Sequence, residues 1–221
     1  MNDDDADLTV FPAPIRQMPC QLYLISPLNV AGDFPDRLRA ALGGGSVAAF
    51  QLRVKDADPH QAALLAEPVQ RICADHDVAF IVNDSVALAR RLGADGVHLG
   101  QGDGDPRKAR ALLGPDKQIG VTCHASRHLA MEAGEAGADY VAFGAFYDTL
   151  TKPSVYRPEL AILSWWGSLF EIPSVAIGGI TPDNAAPLVA AGADFVAVSN
   201  AVWGAVDPAA AVARFGDVLG R

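Results

Sequence analysis

A joint between a helix and a strand occurs three times along the chain, and this repeat constrains the fold more than any other feature. The three copies are Leu92-Gly-Ala-Asp-Gly-Val-His98, Ala136-Gly-Ala-Asp-Tyr-Val-Ala142 and Ala191-Gly-Ala-Asp-Phe-Val-Ala197. Glycine at this place suits the left-handed conformation that ends a helix, and the apolar run after it suits a strand buried on both faces. The repeat therefore predicts a β-α unit that occurs at least three times in the fold.

The rest of the chain extends this pattern to eight strands that alternate with helices. Strands are predicted near residues 20–26, 47–53, 78–82, 95–99, 117–121, 139–143, 173–177 and 194–198. Helices are predicted near residues 34–42, 58–75, 85–92, 106–113, 126–136, 158–167, 182–191 and 207–219. Strict alternation favours a parallel sheet of the α/β class, and eight units close most naturally as a single (β/α)8 TIM barrel. A doubly wound open sheet is the alternative, but the chain has no Gly-x-Gly-x-x-Gly motif after its first predicted strand.

Prolines give local signals within this pattern. Thr181-Pro182 and Asp207-Pro208 each place a capping side chain before a proline at the first helical position. Pro68 falls inside the second predicted helix, so that helix is expected to be kinked or split.

Length, charge and hydropathy limit the class of protein. The chain has 221 residues, of which 50% are apolar, and its net charge of -9 disfavours nucleic acid or an anionic membrane as a partner. No apolar run approaches the ~20 residues of a membrane helix, and the acidic start is unlike a secretory signal. We predict a flexible acidic tail over residues 1–18, one barrel domain over residues 19–221 and a cytoplasmic location. The sequence is compatible with a homodimer.

The three cysteines do not form a recognisable framework. Cys20, Cys73 and Cys123 have no C-x-x-C spacing, and their odd number fits reduced thiols better than disulfides or a zinc site. We interpret them as small hydrophobic residues of the core.

The segment Gln51-Leu-Arg53-Val-Lys55 predicts half of a binding site for a polyanion. Residues two apart in a strand point to the same face, so Gln51, Arg53 and Lys55 share a face with Val47 and Ala49. Two cations and an amide at the end of an apolar strand are costly to desolvate unless an anion binds there.

Two aspartates follow neighbouring strands of the predicted barrel, where functional residues gather at the C-terminal strand ends. Asp84, after Asn83, and Asp103 could converge on Mg²⁺, which takes one or two protein carboxylates and completes its shell with water and phosphate oxygens. The alternative for each is a loop or helix cap, and Asp84 stands directly before a predicted helix.

Three later strand ends carry further candidates for anion binding. Thr149-Leu-Thr151-Lys152 offers hydroxyl donors and a point charge, with a solvated loop as the alternative. Gly178-Gly179 can present bare backbone N–H groups, and Ser199-Asn200 could open a short extra helix. The loops after strands seven and eight, with such a helix, form the recurring phosphate site of these barrels.

The histidines and the tryptophan pair carry weaker signals. A structural role is expected for all five histidines, with His124 the best candidate for a proton carrier because it stands at a strand end. His98 also stands at a strand end, and the other three are expected on helix surfaces. Trp165-Trp166 is expected to pack a helix onto the barrel wall.

Taken in order, these strand-end residues resemble the thiamine phosphate synthase family over about residues 22–212. The resemblance is carried by six motifs in register: Gln51-Leu-Arg53-Val-Lys55, Val82-Asn83-Asp84, Gly96-Val-His-Leu-Gly-Gln-Gly-Asp103, Ile119-Gly-Val-Thr122-Cys-His124, Thr149-Leu-Thr151-Lys152 and Ala176-Ile-Gly-Gly-Ile180. It implies a transferase that joins hydroxymethylpyrimidine diphosphate to hydroxyethylthiazole phosphate, giving thiamine phosphate and diphosphate.

The resemblance also implies a role for each candidate residue. The implied diphosphate contacts are Arg53, Lys55, Asn83 and Lys152. The implied Mg²⁺ ligands are Asp84 and Asp103, and the implied pyrimidine contacts are Gln51 and Thr122. The implied contacts to the thiazole phosphate are Thr149, Thr151, Gly179, Ser199 and Asn200.

Four positions depart from the family pattern. The family usually has Arg where this chain has Ser85, Pro at Ala145, Ser at Asn200 and commonly Ser at Thr122. A diverged paralogue is therefore the alternative, either a thiazole tautomerase with His124 as its acid and base or a non-catalytic barrel that binds a phosphorylated heterocycle. The retained carboxylates and strand-two cations favour the synthase, because a tautomerase has no use for them.

Overall fold

The computed structural model describes residues 18–54, 58–149 and 155–220. The strands are β1 Gln21–Ile25, β2 Ala49–Leu52, β3 Ala79–Asn83, β4 Gly96–Leu99, β5 Gln118–His124, β6 Tyr140–Phe143, β7 Ser174–Ile177 and β8 Phe195–Val198. The helices are α1 Phe34–Gly43, α2 Pro59–Asp75, α3 Val86–Leu92, α4 Pro106–Leu113, α5 Arg127–Glu135, α6 Ala161–Leu169, α7 Ala186–Ala190, α8 Asn200–Trp203 and α9 Pro208–Leu219.

The strands form a closed parallel barrel in chain order, so the predicted (β/α)8 fold is confirmed. Each strand pairs with its sequence neighbours, and β8 returns to β1 with Phe195 opposite Gln21. Within the described residues, no helix is both long and apolar enough to cross a membrane. The predicted acidic tail lies almost wholly in residues 1–17, outside the described part of the chain.

The three repeated joints have one backbone geometry. Gly93, Gly137 and Gly192 adopt positive φ angles of 63°, 87° and 94°. In each copy, the alanine after the glycine donates its N–H to the carbonyl five residues earlier, at 3.0, 3.0 and 3.1 Å. These bonds close the last helical turn, as the sequence pattern predicted.

The aspartate of each joint ties two strands together. The Asp194 carboxylate accepts hydrogen bonds from the backbone N–H of Ser174 at 2.8 Å and from its hydroxyl at 3.3 Å. Asp95 accepts from the N–H of Phe80 at 2.8 Å in the same way, and Asp139 accepts from the N–H of Ile119 at 2.6 Å. Each aspartate therefore satisfies a backbone donor near the start of the preceding strand and fixes the offset between the two strands.

The strands bury both faces, and each face has a different partner. Residues such as Leu22, Phe50 and Val97 point outward and pack against the helices in the main core. Trp166, fully buried on α6, packs edge-on against Phe143 of β6 with ring centroids 5.9 Å apart, which confirms that the tryptophan pair packs its helix onto the barrel. A smaller cluster fills the barrel interior, made of the inward-facing residues Tyr23, Ile81, Tyr140, Ala142, Val175 and Ala197.

One proline prediction was wrong and a second was wrong in part. Thr181-Pro182 lies in a turn closed by the Asn184 N–H, which donates to the Thr181 carbonyl at 3.2 Å, and α7 begins only at Ala186 with Pro187 in its first turn. Pro68 does not split α2, which is continuous from Pro59 to Asp75. Pro68 and the residue four earlier, Leu64, are both exposed, so water can satisfy the carbonyl that loses its partner.

Three other expectations were confirmed in whole or in part. Asp207 caps α9 as predicted, accepting from the N–H groups of Ala209 and Ala210. Ala49 and Gln51 face the barrel interior as predicted, but Val47 lies before the start of β2 and packs in the outer core. Strand alternation does not extend to residues outside the strand. All three cysteines are buried and form no disulfide within the described residues, as expected for core thiols.

We expect Asp194→Ala to lower the free energy of unfolding by about 1–3 kcal/mol, because it leaves two donors of the fully buried Ser174 without an acceptor. Urea denaturation followed by circular dichroism measures this loss. Asp194→Asn keeps one acceptor oxygen and should lose less. The control is Asp36→Ala, which removes an exposed ion pair with Arg39 and should cost less than about 0.5 kcal/mol. Equal losses for Asp194→Ala and Asp36→Ala would contradict the clamping role.

Candidate active site

One deep pocket opens at the C-terminal ends of the strands. It is lined by every predicted site residue within the described part of the chain: Gln51, Arg53, Asn83, Asp84, Asp103, Thr122, Thr149, Gly179, Ser199 and Asn200. The other three predicted site residues, Lys55, Thr151 and Lys152, lie outside the described residues. The barrel therefore brings together side chains that are up to about 150 positions apart in sequence.

Arg53 is held at the pocket wall with part of its charge unpaired. Its backbone N–H donates to the hydroxyl of the fully buried Ser26 at 2.8 Å, which fixes the start of the loop after β2. Its guanidinium nitrogen Nη1 is buried and has no hydrogen-bond partner within the described residues. A buried cationic donor of this kind is costly in the ligand-free protein and suits an anion that enters the pocket.

Asp84 lines the pocket and does not cap α3, because its neighbour performs the cap. Ser85, not Asp84, caps α3 by accepting from the N–H of Leu88 at 3.1 Å. Asp84 adopts a left-handed φ of 65° and donates its backbone N–H to the carbonyl of His98 at 2.8 Å. The helix-cap alternative for Asp84 was therefore wrong, and the departure to serine at position 85 has a structural use.

Asp103 approaches the pocket from the loop after β4. One of its carboxylate oxygens accepts from the backbone N–H of Gly100 at 2.9 Å, which holds the loop in a tight turn. Asp84 and Asp103 thus follow adjacent strands and line one pocket. Two carboxylates with room for water and substrate oxygens match the donor set that Mg²⁺ prefers.

The floor of the pocket is a buried chain of polar side chains. Gln51 donates from Nε2 to the Tyr23 hydroxyl at 3.0 Å, and that hydroxyl lies 2.9 Å from the hydroxyl of Tyr140. The chain continues from Tyr140 to Nδ1 of His98 at 3.1 Å and from Nε2 of His98 to Oγ1 of Thr122 at 2.8 Å. The two predicted pyrimidine contacts, Gln51 and Thr122, are therefore its two ends.

The two tyrosines of this chain were missed by the sequence analysis. A tyrosine in a strand is usually a packing residue, and neither stands at the C-terminal end of its strand. Burial raises the pKa of Tyr23 to about 12 and raises the pKa of Tyr140 well above its usual value. The ring of Tyr140 enters the barrel because Gly120 on β5 has no side chain, and a Cβ there would lie 2.0 Å from the ring. The glycine is the sequence signal that could have located Tyr140.

The histidines divide as the sequence suggested. His98 is buried with both ring nitrogens hydrogen-bonded, which makes it a structural residue of the pocket floor. His124 lines the pocket, adopts a φ of 54° and stacks on Tyr156 with ring centroids 4.3 Å apart. His60 and His128 are exposed on helices, and His76 is exposed at the end of α2. Tyr156, which also lines the pocket, had not been predicted.

The far end of the pocket is built from backbone that requires glycine. Gly178 and Gly179 have φ angles of 97° and 65°. A Cβ on Gly178 would lie 2.2 Å from the side chain of Ala145, and one on Gly179 would lie 2.2 Å from the carbonyl oxygen of Asp148. The loop after β6 therefore lies directly against the two glycines, and Ala145 is one of its contacts.

The predicted extra helix is present next to these glycines as α8. Ser199 precedes α8 and donates its hydroxyl to the carbonyl of Ser26 at 3.4 Å instead of capping the helix. Asn200 is the first residue of α8, and both residues line the pocket. The loops after β7 and β8 thus form the arrangement in which barrels of this type commonly bind phosphate.

Comparison with known proteins gives the family. The model of the family described as thiamine monophosphate synthase matches residues 22–202. A thiamine-phosphate synthase of Erythrobacter litoralis is 66% identical over 92% of this chain and 97% of its own length. The thiamine-phosphate synthase of Rhodospirillum centenum is 54% identical over 90% of this chain and 98% of its own length.

A solved structure agrees with the sequence relatives. Thiamine phosphate pyrophosphorylase from Pyrococcus furiosus superimposes with a TM-score of 0.81 at 31% identity, covering 91% of this chain and 96% of its own. The family model and the identities over nearly full length are far above what a shared barrel alone would produce. The chain belongs to the thiamine monophosphate synthase family.

Proposed function

We propose that this protein is a thiamine phosphate synthase, which couples hydroxymethylpyrimidine diphosphate to hydroxyethylthiazole phosphate and releases diphosphate. Family membership supports the activity, since the relatives from Erythrobacter litoralis and Rhodospirillum centenum carry that name. The protein is accordingly a transferase that acts on small molecules.

The buried guanidinium nitrogen Nη1 of Arg53 is the observation that carries the proposal. A diphosphate that enters the pocket would supply the acceptor that Nη1 lacks among the described residues. Arginine suits this task because its planar donors match phosphate oxygens and its charge persists at any working pH. Asn83, at the end of the adjacent β3, would add an amide donor. Lys55 and Lys152 complete the proposed diphosphate contacts.

Asp84 and Asp103 are the residues that would hold Mg²⁺. Their place beside Arg53 and Asn83 in one pocket supports this assignment, since the metal would bind carboxylates and diphosphate together. When bound, Mg²⁺ would neutralise charge on the diphosphate leaving group.

The reaction requires no protein nucleophile. The bond between the pyrimidine methylene carbon and the diphosphate oxygen breaks, and the oxygen keeps the electron pair. Arg53 stabilises the charge that develops on the diphosphate, and Gln51 and Thr122 hold the pyrimidine ring that carries the positive charge. The lone pair of the thiazole nitrogen then forms the new carbon–nitrogen bond. Positioning of the two substrates in one pocket supplies the rest of the rate.

The side of the pocket formed after β6, β7 and β8 would bind the phosphate of the thiazole. The bare backbone of Gly179, the Thr149 side chain and the start of α8 at Ser199-Asn200 line the pocket. Thr151, two positions after Thr149 in the sequence, completes the proposed contacts. Asn200 can donate from its amide where the family usually has serine, so this departure keeps a hydrogen-bond donor.

The partners and the location follow from charge and class. A net charge of -9 disfavours nucleic acid and anionic membranes, and a biosynthetic enzyme of small phosphorylated molecules suits the cytoplasm. A homodimer is compatible with these observations.

We expect Arg53→Ala to lower kcat/KM for the pyrimidine diphosphate by roughly 10²–10³, because one charged donor to the leaving group is lost. Steady-state formation of thiamine phosphate measures this, with the KM for the thiazole phosphate expected to change little. The control is Arg71→Ala, which removes an exposed cation paired with Glu67 on α2. No thiamine phosphate from the wild-type protein at high enzyme concentration would overturn the proposed function.

We also expect turnover to require Mg²⁺. Removal of divalent cations with EDTA should abolish product formation, and added Mg²⁺ should restore it. Asp84→Asn and Asp103→Asn should each raise the Mg²⁺ concentration needed for half-maximal activity by about tenfold or more. Asparagine tolerates the left-handed backbone of Asp84, so this variant tests the carboxylate rather than the fold. Asp217→Asn, on the exposed side of α9, is the matched control. Full activity in EDTA would contradict the metal assignment.

A further inference from the structure

The buried polar chain at the pocket floor links five strands through side chains alone. Gln51 of β2, Tyr23 of β1, Tyr140 of β6, His98 of β4 and Thr122 of β5 follow one another by hydrogen bonds of 2.8–3.1 Å. Tyr23 is 3% exposed, His98 7% and Tyr140 8%, so water cannot readily replace these bonds. A buried network of this kind is costly unless each donor finds an acceptor.

The first three members determine the direction of the hydrogen bonds. Gln51 donates from Nε2 to the hydroxyl oxygen of Tyr23. The hydrogen of Tyr23 then needs an acceptor, and within the described residues the hydroxyl oxygen of Tyr140 is its remaining partner. Tyr140 accepts this bond and donates its own hydrogen to Nδ1 of His98. Because burial raises the pKa of both tyrosines, both keep the hydrogen that this order requires.

The direction continues through the imidazole to the far end. A neutral histidine that accepts at Nδ1 carries its hydrogen on Nε2, which donates to Oγ1 of Thr122. With this bond accepted, the hydroxyl hydrogen of Thr122 is left to be donated elsewhere. The opposite direction would make Tyr23 accept from both neighbours and leave its buried hydrogen without an acceptor within the described residues, which is unfavourable.

We propose that this chain sets the hydrogen-bond pattern with which the pocket recognises the pyrimidine ring, with Tyr23, Tyr140 and His98 as positioning residues. One of the two hydrogens on Nε2 of Gln51 is donated to Tyr23, which orients the amide and leaves its carbonyl oxygen as an acceptor for the ring. Since its Oγ1 is committed to His98, Thr122 presents its hydroxyl as a donor. The inference rests on the proposed function, because it takes the ligand of this pocket to be a pyrimidine diphosphate.

The pattern selects one class of ring. An acceptor at Gln51 and a donor at Thr122 match a ring with an exocyclic amino group and an unprotonated ring nitrogen. A ring with an oxo group and a protonated ring nitrogen presents the opposite pattern. Its oxo group would meet the carbonyl oxygen of Gln51, and its ring N–H would meet the hydroxyl hydrogen of Thr122. A site that hydrogen-bonds its substrate rejects such analogues far more strongly than an apolar pocket rejects a change in size.

The direction of the chain can be tested without substrate. In protein labelled with ¹⁵N-histidine, long-range ¹H–¹⁵N spectra distinguish the two neutral tautomers, and a His98→Asn variant assigns the signals. We expect His98 to carry its hydrogen on Nε2, and Tyr140→Phe to shift the Nδ1 resonance by removing its donor. Tyr147→Phe, which removes a hydroxyl bound to the carbonyl of Asn184 outside the chain, is the matched control. A hydrogen on Nδ1 of His98 would overturn the proposal.

The recognition itself is tested by comparing two substrates. We expect Tyr23→Phe and Tyr140→Phe each to lower the ratio of kcat/KM for the 4-amino over the 4-oxo pyrimidine diphosphate by about 10–100-fold. The KM for the thiazole phosphate should stay within about twofold. The double variant should match either single variant, because the chain is broken once. Two residues that merely packed the pocket would give additive losses.

The outcomes separate this inference from the proposed function. If the wild-type protein couples neither pyrimidine diphosphate to the thiazole phosphate, the proposed function is wrong, and so is the inference about pyrimidine recognition. If the wild-type protein prefers the amino ring and both tyrosine variants keep the ratio within twofold, only the inference is wrong. Thermal unfolding checks each variant, and should Tyr23→Phe not fold, Tyr140→Phe and the histidine spectra decide.

Discussion

The site depends on the hydrogen bonds that the carboxylates of the three repeated aspartates accept from the preceding strands. Asp95, Asp139 and Asp194 each satisfy a backbone N–H near the start of the strand before, with bonds of 2.6–2.8 Å. They fix the offset between strands at the bottom of the barrel, opposite the pocket. An offset that is fixed at the bottom sets the register along each of these strand pairs, and between β5 and β6 a register shift between Thr122 and His124 then changes which residues are opposite one another at the top.

The pocket concentrates positive and polar groups on an acidic protein. A net charge of -9 would repel a diphosphate from most of the surface, so binding depends on the local field at the strand ends. Arg53 supplies a partly buried positive charge there. Asp84 and Asp103 would repel the diphosphate unless a cation bound between these carboxylates and the diphosphate. Carboxylates beside a diphosphate site are expected only if a metal ion binds both, so we propose the diphosphate and the metal together.

The sequence predicted the elements well and several local contacts poorly. Glycine-alanine-aspartate joints and apolar runs located all eight strands, since both signals are local. Thr181-Pro182 misled because these residues form a turn, in which the Asn184 N–H donates to the Thr181 carbonyl, and the helix begins only at Ala186. Asp84 was predicted as a possible helix cap, but the Ser85 side chain accepts the Leu88 N–H and caps α3 instead. Such competitions between neighbouring side chains have nearly equal energies and are decided by the backbone geometry of the loop.

By itself the sequence determined the repeating unit, the closed parallel fold and the set of polar residues at the strand ends, because alternation and helix-ending glycines act over a few residues. Only the tertiary structure decided which of those residues meet and how they are hydrogen-bonded. Tyr23 and Tyr140 are 117 positions apart, yet their hydroxyls touch because β1 and β6 face each other across the barrel. Contacts across a barrel depend on closure and register, and no local pattern encodes the distance between two strands that are not neighbours.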